Sequence, residues 1–124
     1  MRYICLYSPD PSKPPGPPSP ELMAAMGKLI EQETKAGILV ATEGFDPSPK
    51  DVRVRLSRAE FSITDGPFTE TKEVIGGFAV LECKSREEAI EATKRFLKVA
   101  GGGMTEIHEP CHPSALPIEQ GHPR

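Results

Sequence analysis

The sequence predicts an α+β sandwich in which two helices cover one face of a single sheet. Three observations lead there. Segments 2–7 (RYICLY) and 74–83 (VIGGFAVLEC) are apolar on both alternating sets of side chains, the mark of inner strands. Two other segments carry an apolar stripe at helical spacing, each opening on a serine cap and closing at glycine. The patterns follow one another as strand, helix, strand, hairpin, strand, helix, strand.

A chain of 124 residues is one domain and buries roughly two thirds of the surface exposed by its unfolded form. Its hydrophobic share of 37% and charged share of 27% are ordinary for a globular fold, with 14 prolines assigned to loops. Net charge is −3 with both signs interspersed, so the sequence lacks the basic stripe that direct nucleic-acid binding requires. No apolar run approaches a membrane span, and the opening MRYICLYSPD is too short for a signal-peptide core. The expectation is a soluble cytoplasmic protein without a membrane partner. Three cysteines without C-x-x-C spacing agree: Cys5 and Cys83 sit in apolar strands, where a reduced thiol acts as a small hydrophobe.

In RYICLY, Tyr3, Cys5 and Tyr7 share one face, and Ile4 and Leu6 share the other. The seven prolines of SPDPSKPPGPPSP then force an extended loop, inserted over 9–20. Ser19-Pro20-Glu21 starts the first helix with a cap, a proline at the first position and an acid in the first turn. Leu22, Met26, Leu29, Ile30 and Glu33 form its inward stripe, expected to be core, and Gly37 ends it. ILVAT is a short buried strand. VRVRLS alternates Val52, Val54 and Leu56 with Arg53 and Arg55, and pairs locally with RAEFSIT as a hairpin. Gly76 and Gly77 predict a bulge or a close backbone approach in the next strand. Ser85 and Glu88 open the second helix as a capping box, Ala89, Ala92, Phe96 and Ala100 form its buried face, and three glycines close it. MTEIHE is the last strand. The domain is expected to span 1–110, followed by an extended proline-containing tail over 111–124.

This order is that of a ferredoxin-like sandwich. Helices cover one face only, yet two strands are apolar on both. A second copy packed sheet to sheet supplies the missing cover, so a homodimer is expected.

The run DGPFTETKE followed by GGF closely resembles the signature of the DGPF group of the YCII-related family, and the likeness extends more weakly through RYICLY, TEGFDP, VRVR and EIHE. The resemblance implies a dimeric α/β barrel of ferredoxin-like subunits enclosing a pocket with polar residues. One branch of that family is associated with a His and Asp pair, but the first helix here, 21–36, contains no histidine, so the pair does not carry over. The resemblance also implies a functional link to an extracytoplasmic-function sigma factor, a genomic association without chemistry.

Within the signature, Asp65-Gly66 turns the chain, Pro67 fixes its exit and Phe68 anchors the loop. Two acids, two hydroxyls and a lysine follow within five residues. If this stretch is extended, Thr69, Thr71 and Glu73 point one way and Glu70 and Lys72 the other. Glu70 and Lys72 are either a surface ion pair or an acid–base couple in a cleft. The second reading makes Asp65, Glu70 and Lys72 the candidate catalytic residues, with Arg53, Arg55, Phe68, Thr69, Thr71 and Glu73 as ligand contacts. Arg53 and Arg55 share a strand face and suit a carboxylate, although solvated arginines have the same pattern. His108, Cys111, His112 and His122 have no recognised zinc spacing. No phosphate-cradling glycine motif, nucleophile elbow or redox cysteine pair is present, so no cofactor is expected. The expected ligand is a small polar molecule, with a non-catalytic interaction module as the alternative.

Overall fold

A computed structural model describes residues 1–12, 18–46, 48–68 and 75–111. The elements are β1 (Arg2–Ser8), α1 (Pro20–Lys35), β2 (Leu39–Gly44), β3 (Val52–Ser57), β4 (Glu60–Asp65), β5 (Gly77–Glu82), α2 (Arg86–Ala100) and β6 (Met104–His108). Four strands form an antiparallel sheet in the order β2-β5-β1-β6, while β3 and β4 form a separate two-stranded ribbon. Setting the ribbon aside, this is the β-α-β-β-α-β order expected from the sequence.

Local chemistry explains the helix boundaries. Ser19 Oγ accepts from the Leu22 amide at 3.1 Å, and Pro20 opens α1 where no amide partner exists. At α2, Ser85 Oγ accepts from the Glu88 amide at 3.1 Å, but Glu88 reaches back to the amide of Lys84, one residue before the cap. Gly101 closes α2 at φ 85°, donating to the Leu97 carbonyl at 2.9 Å.

The core lies under the helices. Tyr3, Cys5, Leu81, Cys83, Ala89 and Ala92 are its buried residues, flanked by half-buried Ile38, Leu39, Ala79 and Ile107. Tyr3 stands opposite Leu81, and Cys5 stands opposite both Ala79 and Ile107. The glycine pair works as a close approach: a Cβ on Gly77 would lie 2.8 Å from the Glu43 carbonyl. The register irregularity falls elsewhere, on β2 between Leu39 and Ala41.

Burial pushes the Cys5 and Cys83 thiols above the ordinary value of 9.0. Unfolded thiols lose their protons first as pH rises, so this contribution is complete below pH 9.0 and is lost on rising through the folded value. The midpoint of urea unfolding should therefore fall on the alkaline side of 9.0, and fall less steeply in Cys5→Ala/Cys83→Ala. An identical alkaline slope in the variant would refute the assignment.

Three features bear on the sequence expectation. The inward stripe of α1 contributes no fully buried residue; it stands over a chamber rather than a filled core. The second face of the inner strands is uncovered in the single chain, as helices on one side leave it: Ile4 is 37% exposed, opposite Val80, on the face away from the helices. The hairpin presents Val52, Val54, Leu56, Phe61 and Ile63 on one side, each at least 54% exposed. Its turn residues, Arg58 and Ala59, both have positive φ (52° and 64°), as a two-residue turn requires. No Asn-Gly marks this turn, and the sequence therefore gave it no sharp signal.

Candidate functional site

The signature segment begins at the foot of the hairpin. The Gly66 amide donates to the Asp51 carbonyl at 2.7 Å, and the Asp51 carboxylate accepts from the Ser48 amide at 2.9 Å. A Cβ on Gly66 would meet both the Asp51 Cβ and the Ser48 carbonyl at 2.9 Å, so this corner needs glycine. Among the described residues the side-chain acceptor at this corner is the Asp51 carboxylate. Asp65 is exposed at the end of β4, opposite Val52.

Strand alternation divides the predicted residues. Arg53 and Arg55 share the polar face of the ribbon, whereas Asp65 falls on the apolar face with Val54 and Ile63. The Arg53 guanidinium lies 4.1 Å from the centroid of the half-buried Phe68 ring, a cation–π contact that fixes the start of the segment. Arg55 is exposed. Thr69, Glu70, Thr71, Lys72 and Glu73 lie outside the described residues, as do His112 and His122. His108 pairs with Glu106 at 3.1 Å, and the described residues contain no cluster of three metal-ligating side chains.

A second feature was not anticipated. Between the helices and the sheet lies a partly open chamber of about 440 Å³. Leu22, Met26, Leu29 and Ile30 of α1 form its roof. From α2 come Ala92, Phe96 and Ala100, and from the sheet Cys5, Tyr7 and Leu81. The Tyr7 ring meets Phe96 edge-on at 4.9 Å and its hydroxyl donates to the Gly102 carbonyl at 3.2 Å, fixing one wall. Gly76 and Gly77, where the chain enters β5 after the signature segment, form part of the lining.

The polar atoms in this wall are few. Thr42 Oγ1 donates to the Phe78 carbonyl at 2.8 Å, and Thr93 Oγ1 donates to the Ala89 carbonyl at 2.8 Å. Thr105 Oγ1 is buried without a hydrogen-bond partner among the described residues. Glu33 lines the chamber and accepts from Arg95 through Oε1 at 2.9 Å; this contact raises the Arg95 pKa. Thr42 and Thr105 were legible as polar residues at core-facing positions of apolar strands, and Glu33 as the acid ending an apolar stripe.

A model of the YCII-related domain matches residues 1–108, which include all eight elements and the chamber. The chain belongs to the YCII-related domain family. This YCII-related chain is also similar to an uncharacterised protein of Rhizobium meliloti (strain 1021), with 35% identity over 71 residues. That stretch is 57% of this chain and 54% of the relative, so the match spans about half the relative's length. The YCII-related fold contains no helix, among its described residues, that is long and apolar enough to cross a membrane.

Proposed function

We propose that this YCII-related chain, of the DGPF type, is a homodimeric domain that binds a small molecule between its helices and sheet, with the DGPFTETKE segment lining the polar end. The observation that carries the reading is the chamber: about 440 Å³ under a helix whose apolar stripe is only half-buried. Its volume falls in the range of small-molecule sites, roughly 300–1,000 Å³. Gly76 and Gly77 connect the signature segment to the chamber wall. In this reading Glu70 and Lys72 form an acid–base couple, Thr69, Thr71 and Glu73 hold polar atoms of the ligand, and Arg53 and Arg55 serve any carboxylate. The reading places the protein in the cytoplasm, where the free thiols of Cys5 and Cys83 stay reduced.

Lys72→Met retains the alkyl stem and Glu70→Gln the shape, so each should change stability by less than about 0.5 kcal/mol. Each should weaken binding of a hit from an unbiased metabolite screen. Unchanged affinity in both, measured by calorimetry, would remove the segment from the site and leave a solvated connection beside a structural corner.

The exposed apolar side of the hairpin favours a second reading: a non-catalytic module working with an extracytoplasmic-function sigma factor. Phe61→Ser/Ile63→Ser should then abolish co-purification with the sigma factor while leaving small-molecule binding intact. Retained co-purification would count against this alternative.

A further inference from the structure

We infer that the part of the ligand held in the chamber is an uncharged, elongated hydrocarbon body, lying along α1 with its polar group left at the glycine end. The inference rests on the reading of the chamber as a small-molecule site and adds the chemical class.

The polar atoms of the wall are already engaged. Thr42 Oγ1 donates to the Phe78 carbonyl, and Thr93 Oγ1 donates to the Ala89 carbonyl and bonds the Cys5 thiol. The Tyr7 hydroxyl donates to the Gly102 carbonyl. The Glu33 carboxylate is paired with Arg95, whose side chain is 44% exposed, so this contact faces solvent. Glu43 stands opposite Phe78, and strand alternation turns both side chains to the sheet face away from the helices. Thr105 Oγ1 is buried and offers no surface to an occupant. Among the described lining residues there is no Lys, Arg or His.

What remains is hydrocarbon: Leu22, Met26, Leu29 and Ile30 above, with Leu81 and Phe96 facing them. A charged or polyhydroxylated body would leave its water here without finding a free partner. A hydrocarbon body meets no such cost, and it takes the half-buried stripe of α1 out of water.

The chamber is long. Leu22 to Ile30 covers about 12 Å of helix, and Gly77 to Leu81 covers about 13 Å of the opposing strand. An apolar cavity of about 150 Å³ accepts one benzene, so 440 Å³ with an open side takes roughly eight to twelve carbons. At one end stand Gly76 and Gly77, where the chain arrives from the signature segment. At the other, Leu39 stands opposite Leu81. The polar group therefore belongs at the glycine end, beside the segment proposed to hold the ligand's polar atoms.

Displacement of the neutral dye N-phenyl-1-naphthylamine from the full chain reads the binding of 1-butanol, 1-hexanol, 1-octanol, 1-decanol and 1-dodecanol. Affinity should rise about fourfold per added methylene up to octanol and level off by dodecanol, when the chamber is full. 1,8-Octanediol carries a second hydroxyl to the leucine end and should bind about tenfold or more weaker than 1-octanol. Leu29→Trp shortens the space from α1, and its rise should stop at a shorter alcohol than in the native chain. Circular dichroism checks that it folds, with Met26→Phe as the substitute if it does not.

A series flat from butanol to octanol would overturn the inference. So would a diol that binds as tightly as 1-octanol, or an unchanged series in a folded filled variant. A hit from the metabolite screen that binds the native chain but not the filled one, beside alcohols and dye that fail to bind, rejects the hydrocarbon body and retains the chamber. If none of these binds, both readings fall.

Discussion

Tyr3→Ala should cost about 3–5 kcal/mol, the range for removing a buried aromatic side chain. Tyr3 is 1% exposed and is the largest fully buried side chain among the described residues. Around it, Leu81 is the only large aliphatic in a buried set otherwise made of Cys5, Cys83, Ala89 and Ala92. Small neighbours cannot collapse into the space the ring would vacate. Domains are stable by only about 5–15 kcal/mol, so the variant should be partly unfolded before denaturant is added. Tyr3→Phe separates ring from hydroxyl: among the described residues the hydroxyl reaches Met1 Sδ, at 3.9 Å. That variant should lose less than about 1 kcal/mol. Urea unfolding with an unchanged denaturant slope is the measurement, and equal midpoints for Tyr3→Ala and the native chain would show that the core lies elsewhere.

Sedimentation at micromolar concentration should give a species near twice the 13.5 kDa chain mass, and Val80→Asp should convert it to monomer. The sheet face away from the helices carries Ile4 opposite Val80 and Leu6 opposite Phe78, with Val40 and Met104 at 48% and 41% exposure. At about 25 cal/mol per Å² of apolar area, a few hundred Å² of this face left in water forfeits several kcal/mol. A carboxylate at its centre would be buried unpaired on dimerisation, weakening association about a hundredfold or more. A native monomer would reject the sheet-to-sheet dimer. A dimer surviving Val80→Asp would move the interface to the hairpin, whose Phe61 and Ile63 are 73% and 70% exposed.

The candidate site was legible in pieces. DGPF marked a corner correctly, because Gly66 is in fact crowded by Asp51 and Ser48, but the acceptor at that corner came from a residue 14 positions upstream of Asp65. Local sequence identifies a turn; it does not identify which distant carboxylate folds back against it. Arg53 and Arg55 followed the strand period, whereas the stacking of Arg53 on Phe68 needed the ribbon and the following loop to be placed together. The five residues from Thr69 to Glu73 remain a proposal.

Elements and order were determined by the sequence alone, because helix caps, glycine stops and alternation act within a few residues of one another. Ser19, Ser85, Gly37 and Gly101 stand where the helices begin and end. Tertiary structure alone decided what the apolar surfaces meet. The stripe of Leu22, Met26, Leu29 and Ile30 has the spacing of a core helix, and spacing is the same whether a helix rests on side chains or spans a void. With small residues such as Gly77, Ala79 and Ala92 beneath or beside it, the facing surfaces do not fill the gap, and a chamber results. The strand period likewise sorts Ile4 and Tyr3 to opposite faces without stating which is covered. That assignment came from both helices packing on the Tyr3 side, a long-range choice recorded in no single segment of the chain.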